Sequence, residues 1–306
     1  MIDISTELAG LKLGNPTILA SGILGVTKKE LEQCVKNGVG AATTKSVTIE
    51  PRKGHETPVI VETPSGFLNA VGISNAGIDE AIKEFSGWKS KSPLIFNIAG
   101  KNADELSSMA KKISSSGIRV DALEIALSCP HTPGFGTLAG QSSPEATKEI
   151  IRAVKQSISV PIIAKLSPSV SALGEVAKAA ESAGASAINM GNTAGPGMVI
   201  DIERKAKLPS FGFGGLSGPA MKPIAVRCVY DVYEAVKIPI IGTGGVTYGK
   251  DAIEMFMAGA SAVGVGSAVY YRGPKVFSKI SNEISEWMES HDYSSIKELV
   301  GAAHGR

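Results

Sequence analysis

Two stretches of this chain share the pattern Ala-Gly-Ala-Ser-Ala, and each leads into a short, mostly apolar run: Ala183–Ala187 into Ile188–Met190, and Ala258–Ala262 into Val263–Val265. Each follows a segment with helical periodicity. Glycine suits the left-handed residue that ends a helix, and its small neighbours allow a tight turn into a strand. The repeat therefore indicates a helix–turn–strand unit that occurs more than once.

The same alternation extends outward over most of the 306 residues. Eight continuous apolar runs predict strands that are buried on both faces: Thr17–Ser21, Ala41–Lys45, Leu94–Ile98, Ala122–Leu127, Ile162–Leu166, Ala187–Met190, Pro239–Ile241 and Ala262–Val265. Helical patterns lie between most of them: Lys28–Asn37, Ala103–Ser115, Pro144–Ser157, Leu173–Ser182, Pro219–Ala235 and Lys250–Met257. This order predicts a parallel α/β sheet, and the count of eight favours a closed (β/α)8 TIM barrel.

Three segments fall outside this rhythm. Met1–Leu13 predicts a hairpin that plugs the bottom of the barrel. Val47–Gly77, after the second strand, is a long insertion with several Pro and Gly, and long loops in a compact domain are usually functional. Pro274–Val300 is amphipathic and predicts a C-terminal helix. Because no linker interrupts the pattern, we expect residues 1–306 to form one domain.

The composition narrows the class of function. Lys and Arg number 31 against 29 Asp and Glu, so the net charge of +2 argues against nucleic-acid binding through a basic field. Three cysteines are too few for a disulfide framework or for the usual four-thiolate iron–sulfur cluster. No HExxH or paired Cys/His motif predicts a metal site, and no signal peptide or apolar run of membrane length is present. We expect a cytoplasmic protein with reduced thiols.

Chemistry in such a barrel lies at the carboxyl ends of the strands. Lys45 and Lys165 lie within apolar runs, where lysine is rare unless it has a task, although a lysine at a strand end can also extend to solvent. The glycine-rich turns Gly242–Val246 and Gly264–Ala268 follow the last two strands, where barrels commonly bind phosphate. Ordinary turn glycines are the alternative interpretation.

One cysteine stands out by its position. Cys129 lies between a buried strand and the Gly/Pro-rich segment Pro130–Gly136, which suits a lid over a site, and a thiolate there would be a plausible base. Cys34 and Cys228 are interpreted as inert core thiols. His131 is a candidate for contact with the substrate or the loop rather than for catalysis.

Together these residues resemble the dihydroorotate dehydrogenase family, specifically the class 1B catalytic subunit in its archaeal form. The resemblance covers nearly the whole chain. It rests on these stretches: Asn15-Pro16, Ala20-Ser21-Gly22, Thr44-Lys45-Ser46, Glu50-Pro51-Arg52, Asn69–Asn75, Ser128-Cys129-Pro130, Lys165–Pro168, Asn192-Thr193, Gly214–Pro219 and Gly259–Val263.

The resemblance implies an FMN at the strand ends, with its phosphate on Gly244, Gly245, Gly266 and Ser267. It implies that the rest of the flavin contacts Ser21, Lys45, Ser46, Asn97, Lys165, Gly191 and Gly218. Dihydroorotate would be held by Lys45, Asn69, Ala70, Val71, Gly72, Ile73, Asn192 and Thr193, with His131 nearby. Cys129 would take the C5 proton while a hydride passes to flavin N5, and Lys165 would stabilise the charge of the reduced flavin.

Two positions depart from the family pattern. Ala126 stands where most members have an asparagine three residues before the base, and His131 stands where many have asparagine. Both departures lie on the substrate side. They leave an alternative hypothesis, in which the protein is a related flavin dehydrogenase that acts on another dihydropyrimidine, such as dihydrouracil.

The electron acceptor is also left open. Quinone-using members have a membrane helix and a serine base, and this chain has neither feature. Class 1B members pass electrons to a partner subunit with FAD and an iron–sulfur cluster, whereas class 1A members use fumarate. The resemblance also implies a homodimer, or a heterotetramer with that partner. Two further classes remain open: a Schiff-base aldolase or sugar-phosphate isomerase that uses Lys45 or Lys165, and a barrel that binds without catalysis.

Overall fold

The computed structural model describes residues 2–127 and 141–305. Within them the strands are β1 Thr6–Leu8, β2 Leu11–Leu13, β3 Thr17–Leu19, β4 Ala41–Thr43, β5 Ile60–Thr63, β6 Gly66–Asn69, β7 Leu94–Ile98, β8 Ala122–Ala126, β9 Ile162–Leu166, β10 Ala187–Met190, β11 Ala194–Gly197, β12 Val199–Asp201, β13 Ala206–Leu208, β14 Gly214–Ser217, β15 Ile240–Thr243 and β16 Ala262–Val265. The α-helices are α1 Lys28–Lys36, α2 Ile78–Phe85, α3 Ala103–Ser115, α4 Pro144–Lys155, α5 Leu173–Ser182, α6 Lys222–Ala235, α7 Gly249–Met257, α8 Ala268–Arg272 and α9 Val276–Ser290.

Eight parallel strands close into a barrel in the order β3, β4, β7, β8, β9, β10, β15 and β16. The last strand pairs with the first, with Val263 opposite Thr17. Helices lie between most successive barrel strands and bury their apolar faces against the outside of the barrel. The predicted (β/α)8 barrel is therefore confirmed, and each of the eight predicted strands overlaps an observed one.

The N-terminal hairpin of β1 and β2 closes one end of the barrel. Its residues Leu8 and Leu13 are fully buried. They pack against the first inward-facing residues of the eight strands, which are Ile18, Ala41, Ile95, Ala122, Ile163, Ala187, Ile241 and Ala262. The predicted plug is confirmed, and it leaves the opposite end of the barrel for a site.

Some helix boundaries differ from the sequence prediction. The tail helix α9 ends at Ser290 instead of reaching Val300, and a short 3-10 turn follows at Ile296–Glu298. The segment predicted as Pro219–Ala235 begins as a 3-10 turn, Pro219–Met221, before α6. Among the helices of the described residues, none is long and apolar enough to span a membrane.

Two insertions, not one, lie at the open end of the barrel. The insertion after β4 forms the hairpin of β5 and β6. A second insertion, after β10, supplies β11 to β14 and was not predicted. The two combine in one sheet with strand order β11-β14-β6-β5, while β12 and β13 form a separate ribbon. This shared sheet sets the position of one wall of the site.

Candidate active site

A cavity of about 410 Å³ opens at the carboxyl ends of the barrel strands. Most of the residues singled out from the sequence line it, namely Ser21, Lys45, Ser46, Asn69, Val71, Ile73, Lys165, Gly191, Asn192, Thr193, Gly218, Gly244, Gly245, Gly266 and Ser267. Asn97, Ala70 and Gly72 are not among the lining residues. Cys129 and His131 lie outside the described residues.

The ends of β15 and β16 form a cradle of backbone amides. Within the described residues, the N–H groups of Gly245, Gly266 and Ser267 donate no hydrogen bond. A Cβ on Gly245 would lie 2.6 Å from the Lys222 Cβ, and φ at Gly245 is +75°, so this turn requires glycine. A row of unpaired N–H groups beside a cavity is suited to an anion such as a phosphate.

Lys165 lies on the floor of the cavity with an exposed fraction of only 6%. Its Nζ lies 3.8 Å from Oε1 of Glu124, and the Glu124 side chain is 1% exposed. The pair comes from neighbouring strands, because Ala126 on β8 lies opposite Lys165 on β9. A buried ammonium and a buried carboxylate are therefore held together beneath the site.

Glu124 also joins two asparagines. Its Oε1 accepts a hydrogen bond from Nδ2 of Asn97 and its Oε2 accepts one from Nδ2 of Asn189, both at 2.5 Å. Asn189 in turn accepts a hydrogen bond from the Thr243 hydroxyl at 2.8 Å. Because Asn97 is fully buried and turned toward Glu124, it lies beneath the cavity rather than on its wall.

Glu124 and Asn189 were not among the candidate residues predicted from the sequence, and Thr243 was included only as part of the glycine-rich turn Gly242–Val246. A signal was nevertheless present, because Glu124 is a charged residue inside an apolar run, as are the two lysines that were selected. The structure shows a polar layer between the apolar plug and the cavity, with Glu124 as its centre.

The sheet shared by the two insertions positions the amide side chains. Asn69, at the end of β6, donates from Nδ2 to the Gly215 carbonyl on β14 at 3.3 Å. Asn192 accepts a hydrogen bond at its Oδ1 from the backbone N–H of Thr193, at 2.7 Å. A Cβ on Gly215 would come within 2.5 Å of the Thr193 Cβ, so glycine there permits close approach of the two segments. Asn69, Asn192 and Thr193 are thereby brought to one wall.

The loop that follows Asn69 is held by Asn75. The Asn75 Oδ1 accepts hydrogen bonds from the N–H groups of Thr48 and Gly77, and its Nδ2 donates to the Ile73 carbonyl. Ile73 has a left-handed φ of +55°, which is uncommon for a β-branched residue. Such strain persists where the surroundings impose it, often at functional sites.

This loop gives the cavity an apolar corner. The Ile73 side chain packs against Ala99 and Ala126, and all three line the cavity. Ala126 is the position at which the resemblance noted from the sequence leads us to expect an asparagine. The corner therefore presents methyl groups where that carboxamide would otherwise lie.

Cys34 and Cys228 are buried away from this cavity. Burial raises the pKa of each thiol to about 11. In the described parts of the chain, no cluster of His, Cys, Asp and Glu has an arrangement that could hold a metal ion.

The chain is similar to known proteins over nearly its full length. A family model described as Dihydroorotate dehydrogenase matches residues 3–288. Dihydroorotate dehydrogenase B (NAD(+)), catalytic subunit, of Methanothermobacter thermautotrophicus is 42% identical over 302 residues, which is 98% of each chain. The protein of the same name in Pyrococcus abyssi is 44% identical over 300 residues, covering 98% of this chain and 99% of the relative. A crystal structure of DHODH from Eimeria tenella, in complex with ferulenol, has a TM-score of 0.85 at 23% identity and covers 99% of this chain and 89% of that one.

Proposed function

The chain belongs to the dihydroorotate dehydrogenase family of flavin-dependent oxidoreductases, and we propose that its barrel cavity binds FMN next to the substrate. The enzyme oxidises dihydroorotate to orotate in pyrimidine biosynthesis.

The amide cradle carries the assignment of FMN. The unpaired N–H groups of Gly245, Gly266 and Ser267 would hold the phosphate, in the barrel position where phosphate commonly binds. The cavity extends from this cradle to Lys165, which leaves space for an elongated ligand along the strand ends. Ser21, Ser46, Gly191 and Gly218 also line it and are proposed to contact the flavin. A flavin held there would supply the hydride acceptor for C6 of dihydroorotate.

The side chains of the cavity are suited to the other parts of the reaction. Lys45 would pair with the substrate carboxylate, while Asn69, Asn192 and Thr193 would hydrogen-bond the ring amides. A site built to pair these groups discriminates against ligands that leave buried polar atoms unpaired. Lys165 would stabilise the negative charge that develops during reduction.

We assign the base to Cys129, which lies outside the described residues. It would take the proton from C5 while Lys45 and the amides hold the ring in place. A thiolate is the reactive form of cysteine, and nearby cations favour it. Lys45, which lines the cavity, would supply such a cation.

The curated relatives are named as NAD(+) enzymes and as catalytic subunits. We propose that this chain likewise passes its electrons to a partner subunit, one that carries FAD and an iron–sulfur cluster. The paucity of thiols supports a separate subunit, because three cysteines fall short of the usual four cluster ligands.

An anaerobic visible spectrum tests the proposal. Purified protein reconstituted with FMN should show a flavin band that bleaches when dihydroorotate is added. A band that persists with dihydroorotate but bleaches with dihydrouracil would assign the site to another dihydropyrimidine. Failure to retain any flavin after reconstitution would refute the assignment of FMN.

A further inference from the structure

We propose that Glu124 is a positioning residue that offsets the charge of Lys165 and thereby sets the reduction potential of the bound flavin. The inference rests on the proposed function, because it requires a flavin in the cavity lined by Lys165. Glu124 does not line the cavity, so it would act on the flavin only through Lys165.

Lys165 and Glu124 form a buried ion pair beneath the cavity. Lys165 Nζ and Glu124 Oε1 are 3.8 Å apart, with side chains only 7% and 1% exposed. Water screens such a pair weakly, so each charge is felt strongly by the other and by any ligand nearby. The ammonium and the carboxylate together contribute a net charge near zero beneath the cavity.

Two asparagines fix the orientation of the Glu124 carboxylate. A carboxylate only accepts hydrogen bonds, so the side-chain atoms of Asn97 and Asn189 that face it must be their NH2 groups. Both bonds are 2.5 Å long, and Asn189 is fixed at its other end by the Thr243 hydroxyl. Glu124 is therefore held from both sides, and it cannot turn away from Lys165 without leaving two buried amides unpaired.

The side-chain oxygen of Asn97 also belongs to this buried polar layer. With its NH2 group committed to Glu124, Asn97 presents an Oδ1 that is buried and has no hydrogen-bond partner among the described residues. A buried acceptor without a hydrogen bond lowers the stability of the fold unless a ligand or another group supplies a donor. Glu124 therefore contacts both the Lys165 ammonium, which lines the cavity, and Asn97, whose Oδ1 is left unpaired among the described residues.

The consequence is electrostatic. A reduced flavin carries negative charge, which a cation stabilises and an anion opposes. Replacing the Glu124 carboxylate by a neutral group leaves the Lys165 ammonium uncompensated. The flavin should then be easier to reduce, by roughly tenfold in the equilibrium constant for two-electron reduction, as expected for one charge at short range in a protein.

The test compares Glu124→Gln with Glu283→Gln as a matched control. Glu283 forms an ion pair with Arg272 on the outer helical layer, so the control also removes one paired carboxylate. Each FMN-reconstituted protein is titrated anaerobically against a dye of known potential. Glu124→Gln should shift the potential in the positive direction, Glu124→Asp should restore a value near that of the parent, and Glu283→Gln should leave it unchanged.

A potential that is unchanged or more negative in Glu124→Gln would overturn the inference. If that variant does not yield folded protein, Lys165→Met is compared with Lys165→Met/Glu124→Gln, and the second must have the more positive potential. Flavin stoichiometry is measured first on the parent protein. A parent protein that binds no flavin would refute the proposed function. A parent with full flavin content, and no change of potential in the Glu124 variant, would refute only the role of Glu124.

Discussion

Asn69 and Gly215 are separated by 146 residues in sequence, yet the Asn69 side chain donates to the Gly215 carbonyl at 3.3 Å. The bond joins the insertion after β4 to the insertion after β10. Their strands also pair directly, with Gly215 opposite Asn69. The wall assigned to the substrate therefore needs both insertions, because each one supplies only part of it.

Replacement of Asn69 by alanine should weaken substrate binding with little effect on the flavin. The loss of one amide that pairs with a buried ring costs about 1–3 kcal/mol. We expect KM for dihydroorotate to rise roughly 10- to 100-fold, measured by steady-state kinetics, while flavin content stays at the parent level. Asn282→Ala, at an exposed position on α9, is the control. Equal KM values in the two variants would argue against a substrate contact at Asn69.

Ala126→Asn should tighten the binding of orotate. The added carboxamide would enter the apolar corner formed with Ile73 and Ala99 and would supply the hydrogen-bonding group that the family resemblance leads us to expect there. The expected gain is about 1–3 kcal/mol, or tenfold or more in Kd, measured by titrating the flavin spectrum with orotate.

Ala126→Leu is the matched control for this change, because leucine has nearly the same shape as asparagine and no amide. Tightening in both variants would show that volume, rather than a hydrogen bond, is responsible.

Removal of the Lys165 ammonium alone should destabilise the fold more than removal of the whole ion pair. Lys165→Met leaves Glu124 buried without its cation, which typically costs about 3–5 kcal/mol. The double variant Lys165→Met/Glu124→Gln should recover much of this loss. Urea unfolding of the flavin-free proteins measures the free energy of unfolding of both variants. A double variant that is no more stable than Lys165→Met would contradict the coupling.

Gly245→Ala should impair retention of FMN and lower stability. An alanine Cβ there would lie 2.6–2.9 Å from Lys222 atoms, at a φ of +75°. Gly87→Ala is a close control, because Gly87 has a φ of +73° and open space around it. The control should lose only about 1–2 kcal/mol from the strained backbone. Flavin content after gel filtration and thermal midpoints separate the two effects; equal flavin content would count against the phosphate cradle.

The buried thiols make the stability depend on alkaline pH. Burial raises the pKa of Cys34 and of Cys228 to about 11. Because the unfolded thiols ionise near pH 9 while the folded ones stay protonated, the free energy of unfolding should fall as pH rises from about 9 to 11. The upper limit is about 2–3 kcal/mol for each thiol.

Thiol titration gives an independent measurement of the same burial. In a Cys129→Ala variant at pH 8, a disulfide reagent should detect no thiol in the native protein and both remaining thiols after unfolding. A thiol that reacts in the native variant would contradict the burial of Cys34 or Cys228.

The barrel was predictable because buried parallel strands leave a local signal. Leu94–Ile98 and Ile162–Leu166 have the predicted boundaries, since each is an apolar run that ends at a glycine or a serine–proline turn. The second insertion left no such signal. Strand β11 has the sequence Ala-Gly-Pro-Gly, and what makes it a strand is pairing with β14, so its structure depends on tertiary contacts.

The cavity was also largely predictable, whereas the layer beneath it was not. Lys45 and Lys165 could be chosen because each is a charged residue at or near the end of an apolar run, whereas Asn69 was expected only from the family resemblance. The position of Glu124 in an apolar run was an equal signal. Its importance, however, depends on Asn97, Lys165 and Asn189, which lie on three other strands that are far apart in the sequence and adjacent only in the folded sheet.

The pairing of Val263 with Thr17 has a consequence for how this protein is made. A ribosome that adds about 5–20 residues per second needs roughly 12–50 s to travel between these two positions. Throughout that interval one edge of β3 lacks its neighbour, and Leu8 and Leu13 lack the complete ring of side chains that later covers them. Unpaired strand edges and uncovered apolar residues promote aggregation. The nascent chain should therefore depend on chaperones until its last barrel strand leaves the ribosome.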